Sequence, residues 1–185
     1  DIYAIIAFFI VILTYGMETS FFRFSEKYLD KKDSVYTTAL LSIASSTVLF
    51  IVLFGLFSDP ISGLLKYGDN QNYIWWMVII LGMDAIAAIP FARLRSENKA
   101  TKFVFVKLAL IFSNIIFNLI FFTPALVNTK LPFDLMPYWF GQDLGVGYIF
   151  LANLIASGIM LLLLLPEIFK VKLRFEFMLW KEMLI

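Results

Sequence analysis

The chain has 185 residues, of which 61% are hydrophobic, 18% aromatic and only 16% charged, and its net charge is +1. A mean hydropathy of +0.86 exceeds what a soluble domain tolerates, because such a domain must cover its core with polar surface; a membrane protein is expected. Cysteine and histidine are both absent, which excludes disulfides, thiol nucleophiles, the usual zinc sites and histidine acid–base chemistry.

Five stretches reach the ~20 residues that a helix needs to cross a ~30 Å hydrocarbon core. They run over about 3–22, 35–57, 73–91, 103–123 and 147–165. Backbone groups in lipid must bond internally, and runs such as the leucines at 161–165 lack the period-two alternation of a barrel, so each stretch is read as an α-helix. The expected fold is all-α, a polytopic transmembrane bundle over residues 1–165 followed by a cytoplasmic amphipathic segment over 166–185.

The first span places Glu18 about a turn and a half inside, on one face with Tyr15 and Phe22. Arg23, Lys27, Lys31 and Lys32 follow it. The second span carries Thr38, Ser42 and Ser45 at i, i+4 and i+7, a stripe suited to packing between helices. The third holds Asp84, nine residues before Arg93 and therefore ~13 Å deep at helical rise. Pro90 leaves the carbonyl of Ile86 without its helical donor, which reads as a kink or as the end of the helix. Next comes a hairpin, "IPFARLRSENKATKFVFVKLA", with Arg93, Arg95, Lys99, Lys102 and Lys107. In the fourth span Lys107, Asn114 and Asn118 share a face at i, i+7 and i+11. The connection over 124–146 contains Pro132, Pro137, Tyr138 and Trp139, which suits the headgroup level. Asn153 and Ser157 lie four apart in the fifth span. After Pro166, the residues Ile168, Val171, Phe175, Met178 and Leu179 follow helical spacing between Lys170, Lys172, Arg174, Lys181 and Glu182. That pattern fits an amphipathic helix on the cytoplasmic face, or a linker to another span.

Thirteen of the 15 cations fall in the connections after the first and third spans and in the tail after the fifth. The other two connections hold only Lys66 and Lys130. The basic set is therefore expected in the cytoplasm and Asp1 outside. No basic and aromatic groove accompanies the charge, so no nucleic-acid partner is expected. The chain lacks an initial Met and a signal peptide, and is expected to be a fragment of a longer polytopic protein.

A carboxylate at membrane depth costs at least ~2.5 kcal/mol by insertion scales, so Glu18 and Asp84 should face the bundle or a hydrated cavity and serve function. The Ser and Thr positions read as packing, and Asn114, Asn118 and Asn153 stay open between packing and function. There is no triad, metal cluster or phosphate loop, hence no expected enzyme activity, metal or cofactor.

"YGMETSFFRFSEK", the basic hairpin with "SNIIFNL" after it, and "GVGYIFLANLIASGIMLLLLLPEI" resemble the oligosaccharide flippases. These are polysaccharide-biosynthesis transporters of the multidrug/oligosaccharidyl-lipid/polysaccharide exporter superfamily. The resemblance implies two six-helix lobes around a cavity that opens alternately to each side, with this chain as helices two to six of the first lobe. The first helix and the second lobe would be supplied by the remainder of the same chain, without which the fragment would not transport. It further implies a lipid-linked oligosaccharide cargo, such as a polyprenyl diphosphate sugar, moved across the bacterial inner membrane for surface polysaccharide or lipopolysaccharide synthesis. A cationic cavity suits that diphosphate, and Arg23, Arg93 and Lys107 are the basic candidates near the spans. One alternative is a drug or metabolite exporter of the same superfamily, with Glu18 or Asp84 carrying a coupling cation. The other is a membrane glycan polymerase or acyltransferase, disfavoured because the outer connections hold no His and no Arg.

Overall fold

The computed structural model describes residues 2–56, 71–127, 147–171 and 174–184. Every regular element among them is helical. In chain order they are α1 (Ile2–Thr14), α2 (Met17–Lys27), a 3₁₀ turn (Leu29–Lys31), α3 (Lys32–Leu56), α4 (Gln71–Ser96), α5 (Ala100–Val127), α6 (Gly147–Ile168) and α7 (Phe177–Met183). Among the described residues, four apolar stretches are long enough to cross a membrane: Leu29–Leu56, Ile74–Ser96, Ala100–Phe121 and Gly147–Phe169.

The expected first span is not one helix. It divides at Tyr15 and Gly16, whose φ angles of 31° and 73° leave the right-handed helical region. Glycine adopts such an angle freely, whereas tyrosine does so only when its surroundings hold it there. The Tyr15 hydroxyl is hydrogen-bonded to the Ser42 hydroxyl of α3, which ties the break to a neighbouring helix. Helix α2 restarts at Met17 and buries Met17, Phe21 and Phe24 along one face.

Of the two readings of Pro90, the helix end does not hold: α4 continues through it to Ser96, and Pro166 likewise lies inside α6. A proline removes one donor and strains one turn, but flanking turns and packing can keep the rest of the helix intact. The terminal amphipathic helix is shorter than its spacing suggested. Residues 174–176 are non-helical and α7 begins at Phe177. Leu179 and Met183 are its buried positions, while Met178 is 79% exposed. Residues 57–70 of the second connection and 128–146 of the connection expected over 124–146, with Lys66 and Lys130, lie outside the described residues, whereas 124–127 continue α5.

The hairpin between α4 and α5 is tight because Asn98 takes the left-handed conformation, φ 56°. Its N–H donates to Arg95 O (3.1 Å) and the N–H of Lys99 to Leu94 O (2.9 Å), a Schellman closure of α4.

Helix α4 is central and packs against α1, α2, α3, α5 and α6. One core cluster joins α1–α4, the start of α6 and α7 around Phe21, Tyr36, Ile43, Leu81 and Ile89. A second joins α4, α5 and α6 around Phe91, Leu94, Val106, Met160 and Leu164. Helix α5 leaves Phe105, Ile111, Phe112, Ile116 and Leu119 at least half exposed, a contiguous apolar face that water would disfavour and acyl chains would not.

Between apolar helices in lipid, burial alone gives little drive to associate, so packing and polar contacts carry more weight. The stripe on α3 performs this role for α7. Thr38 Oγ1 accepts from the backbone N–H of Glu176 at 3.2 Å, and Ser42 Oγ accepts from Trp180 Nε1 at 2.6 Å. Ser45 instead donates to Leu41 O in its own helix.

Candidate functional site

The ionic residues gather at one end of the bundle. Arg93 pairs with Glu97 Oε1 (2.6 Å) and Asp33 Oδ1 (3.1 Å), joining α4 to α3. Lys102 of α5 pairs with Glu167 of α6 at 2.6 Å, and Lys27 of α2 with Glu182 of α7 at 3.5 Å. The three basic segments of the sequence therefore lie together. Beyond the spans, partial burial pushes the Glu97 carboxyl upward. The hydrogen bonds and charges of Lys99 and Arg93 outweigh that and hold it below the ordinary glutamate value.

Above this ionic layer lies a cavity of about 410 Å³ between α1, α2, α4, α5 and α6. Its size falls within the range of small-molecule sites. Ala87 and Ala88 of α4 leave the space; Phe91, Phe103, Leu110 and Met160 form apolar wall. Four ionic side chains reach it: Glu18, Asp84, Arg95 and Lys107. Glu18 is ion-paired to Arg95. It is reached from α2 because the Tyr15–Gly16 break re-aims the helix just before it. Lys107 forms no ion pair among the described residues, and its Nζ lies 4.3 Å from the centre of the Phe91 ring. Asp84 forms none either; its Oδ1 accepts a hydrogen bond from Ser157 Oγ at 3.0 Å.

Asp84 and Leu110 also line a second cavity of about 350 Å³, deeper between α4, α5 and α6. Asn114, Asn153 and Ser157 supply its polar wall, and Ile80, Ile111 and Ile115 its apolar wall. Asn114 Nδ2 donates to Asn153 Oδ1 across the α5–α6 interface. Asn118 donates within α5, to Asn114 O (2.8 Å) and Asn114 Oδ1 (2.7 Å).

Of the eight candidates from the sequence, the two cavities bring together Glu18, Asp84, Lys107, Asn114 and Asn153, with Asn118 bonded behind Asn114. Two of the basic candidates lie elsewhere. Arg23 is exposed, with its guanidinium 5.2 Å from the Phe24 ring. Arg93 is 8% exposed and engaged with Asp33, Glu97 and the Tyr36 ring. The sequence reading missed Arg95 as a cavity residue. Its position two residues beyond Arg93 held the signal, because successive helical positions turn by about 100° and so place the two on opposite faces. No family model, curated protein or solved structure matches the chain.

Proposed function

We propose that this chain forms part of a transporter that passes a lipid-linked oligosaccharide, a polyprenyl diphosphate sugar, across the bacterial inner membrane for surface glycan synthesis. The observation that carries the reading is the 410 Å³ cavity at the basic end of an apolar helix bundle, which Lys107 lines without a direct ion pair among the described residues. A charged side chain between spanning helices is costly unless it is paired or serves a pathway. A diphosphate would supply Lys107 with its counter-charge. It would also compete with Glu18 for Arg95, whose guanidinium binds phosphate in two-point fashion. Exchange of a resident carboxylate for a phosphate at Arg95 gives a means of coupling headgroup entry to movement of α2, which follows the Tyr15–Gly16 break. The apolar outer face of α5 leaves a carrier's hydrocarbon tail in lipid while its headgroup is inside.

The test is restoration of surface glycan in cells lacking the native gene. Lys107→Gln, which keeps length and removes charge, is expected to lower export at least tenfold at normal membrane abundance. Arg23→Gln, outside the cavity, is expected to leave it unchanged. Full export by Lys107→Gln, or efflux of small cationic compounds with no effect on glycan, would overturn the proposal.

A further inference from the structure

We infer that the second cavity, between α4, α5 and α6, receives an uncharged group that both accepts and donates hydrogen bonds, a sugar hydroxyl or acetamido group, and not a metal cation. The inference rests on the direction of one chain of hydrogen bonds. Asn114 O is a backbone carbonyl and can only accept, so the atom of Asn118 that lies 2.8 Å from it is the amide nitrogen. That same nitrogen lies 2.7 Å from the Asn114 side chain, which must therefore present its oxygen there. The Asn114 nitrogen is left to face Asn153, and Asn153 must in turn present its oxygen to it. The carbonyl at the start thus fixes the orientation of all three amides.

Two consequences follow at the cavity wall. The side-chain oxygens of Asn114 and Asn153 each already accept an amide N–H. A sodium or calcium site draws on several such oxygens at once, and here each has only one lone pair left to offer. The Asn153 amide N–H groups, by contrast, have no acceptor among the described residues. One turn further along α6, the Ser157 hydroxyl donates to Asp84 Oδ1, which leaves the Ser157 lone pairs and Asp84 Oδ2 as acceptors. The wall therefore offers donors and, one helical turn away, acceptors, beside an apolar floor of Ile80, Leu110 and Ile111. A hydroxyl or acetamido group satisfies both at once, and the C–H face of a sugar ring suits the floor. Because Asp84 and Leu110 line both cavities, a ligand with its phosphates near Lys107 has its sugar directed to Asn153. In that form the inference rests on the proposed function.

The experiment measures binding of two probes to the full chain in detergent: a short polyprenyl diphosphate, and the same lipid carrying one N-acetylhexosamine. The sugar-bearing probe is expected to bind about tenfold more tightly, the size of one or two neutral hydrogen bonds. Asn153→Asp replaces the donors with acceptors at constant shape, and Asn153→Leu removes both. Each is expected to bring the ratio of the two affinities close to one. If Asn153→Asp misfolds, Asn153→Leu gives the same comparison. A ratio unchanged in both variants overturns the inference while the proposed function stands. So does a sodium-dependent rise in melting temperature of the wild type that Asn153→Leu abolishes. If neither lipid binds, the proposed function fails, and titration with methyl N-acetylglucosaminide decides the inference: protection lost in Asn153→Leu upholds it, and no protection overturns it.

Discussion

Arg93 is the residue whose replacement best separates scaffold from site. Its guanidinium is almost fully buried, yet its two carboxylate partners are not: the Asp33 side chain is 66% exposed and that of Glu97 32%. Removing Arg93 therefore leaves behind carboxylates that water can solvate, and Glu97 keeps Lys99. Each lost pair should cost no more than ~1 kcal/mol, the range of exposed pairs, and not the 3–5 kcal/mol or so of a pair stripped inside a core. The contact with the buried Tyr36 ring, at 4.4 Å, adds about 1 kcal/mol. Arg93→Ala should thus destabilise the bundle by about 2–3 kcal/mol in total. Asp33→Asn should cost under about 1 kcal/mol. Arg93→Lys should fall between, since it keeps charge but loses the planar stack and the two-point geometry. Reversible unfolding in mixed micelles measures the series. The reasoning is refuted if Asp33→Asn costs as much as Arg93→Ala, or if Arg93→Ala lies within about 0.5 kcal/mol of wild type. A stable Arg93→Ala that abolishes glycan export would return Arg93 to the list of cargo-binding residues.

The chain has no cysteine, so single cysteines report topology directly. Residues 31 and 99 are expected to label from the cytoplasm and residues 66 and 130 from outside; labelling of 66 and 99 from one side would disprove the orientation. Gly82 sits where an added Cβ would meet Thr47 Cγ2 at 3.0 Å and Ile51 Cδ1 at 3.2 Å. Gly82→Val should therefore destabilise the α3–α4 contact by about 1–3 kcal/mol through overpacking, and an unfolding midpoint equal to wild type would contradict it. The Glu97 carboxyl titrates below the ordinary 4.5 in the folded protein. Its contribution to stability is thus fully present above that value and is lost as pH falls through the lower folded value. The stability gap between wild type and Glu97→Gln should be constant near neutral pH and close under more acid conditions, and a gap that widens on acidification would show the sign to be wrong.

The sequence by itself determined the helical class, the apolar lengths of α3–α6 and the separation of basic from neutral connections. Each of these is a sum over one local segment: hydropathy over about 20 residues, or charge over one loop. It did not determine the break at Tyr15 and Gly16. A single glycine costs only about 1 kcal/mol within a helix, too little to mark a break, and the hydroxyl that Tyr15 meets there, that of Ser42, lies on another helix. Nor did it separate Arg93 from Arg95. Both belong to one basic run, but helical rotation sends one to Asp33 and Glu97 and the other to Glu18 and the cavity. The asparagines are the clearest case. Their spacing put Asn114 and Asn118 on one face of α5, while the direction in which each amide points is set by a carbonyl on α5 and carried on to Asn153 of α6. Only the packed bundle brings those groups within hydrogen-bond reach, and the polarity of the second cavity is set there.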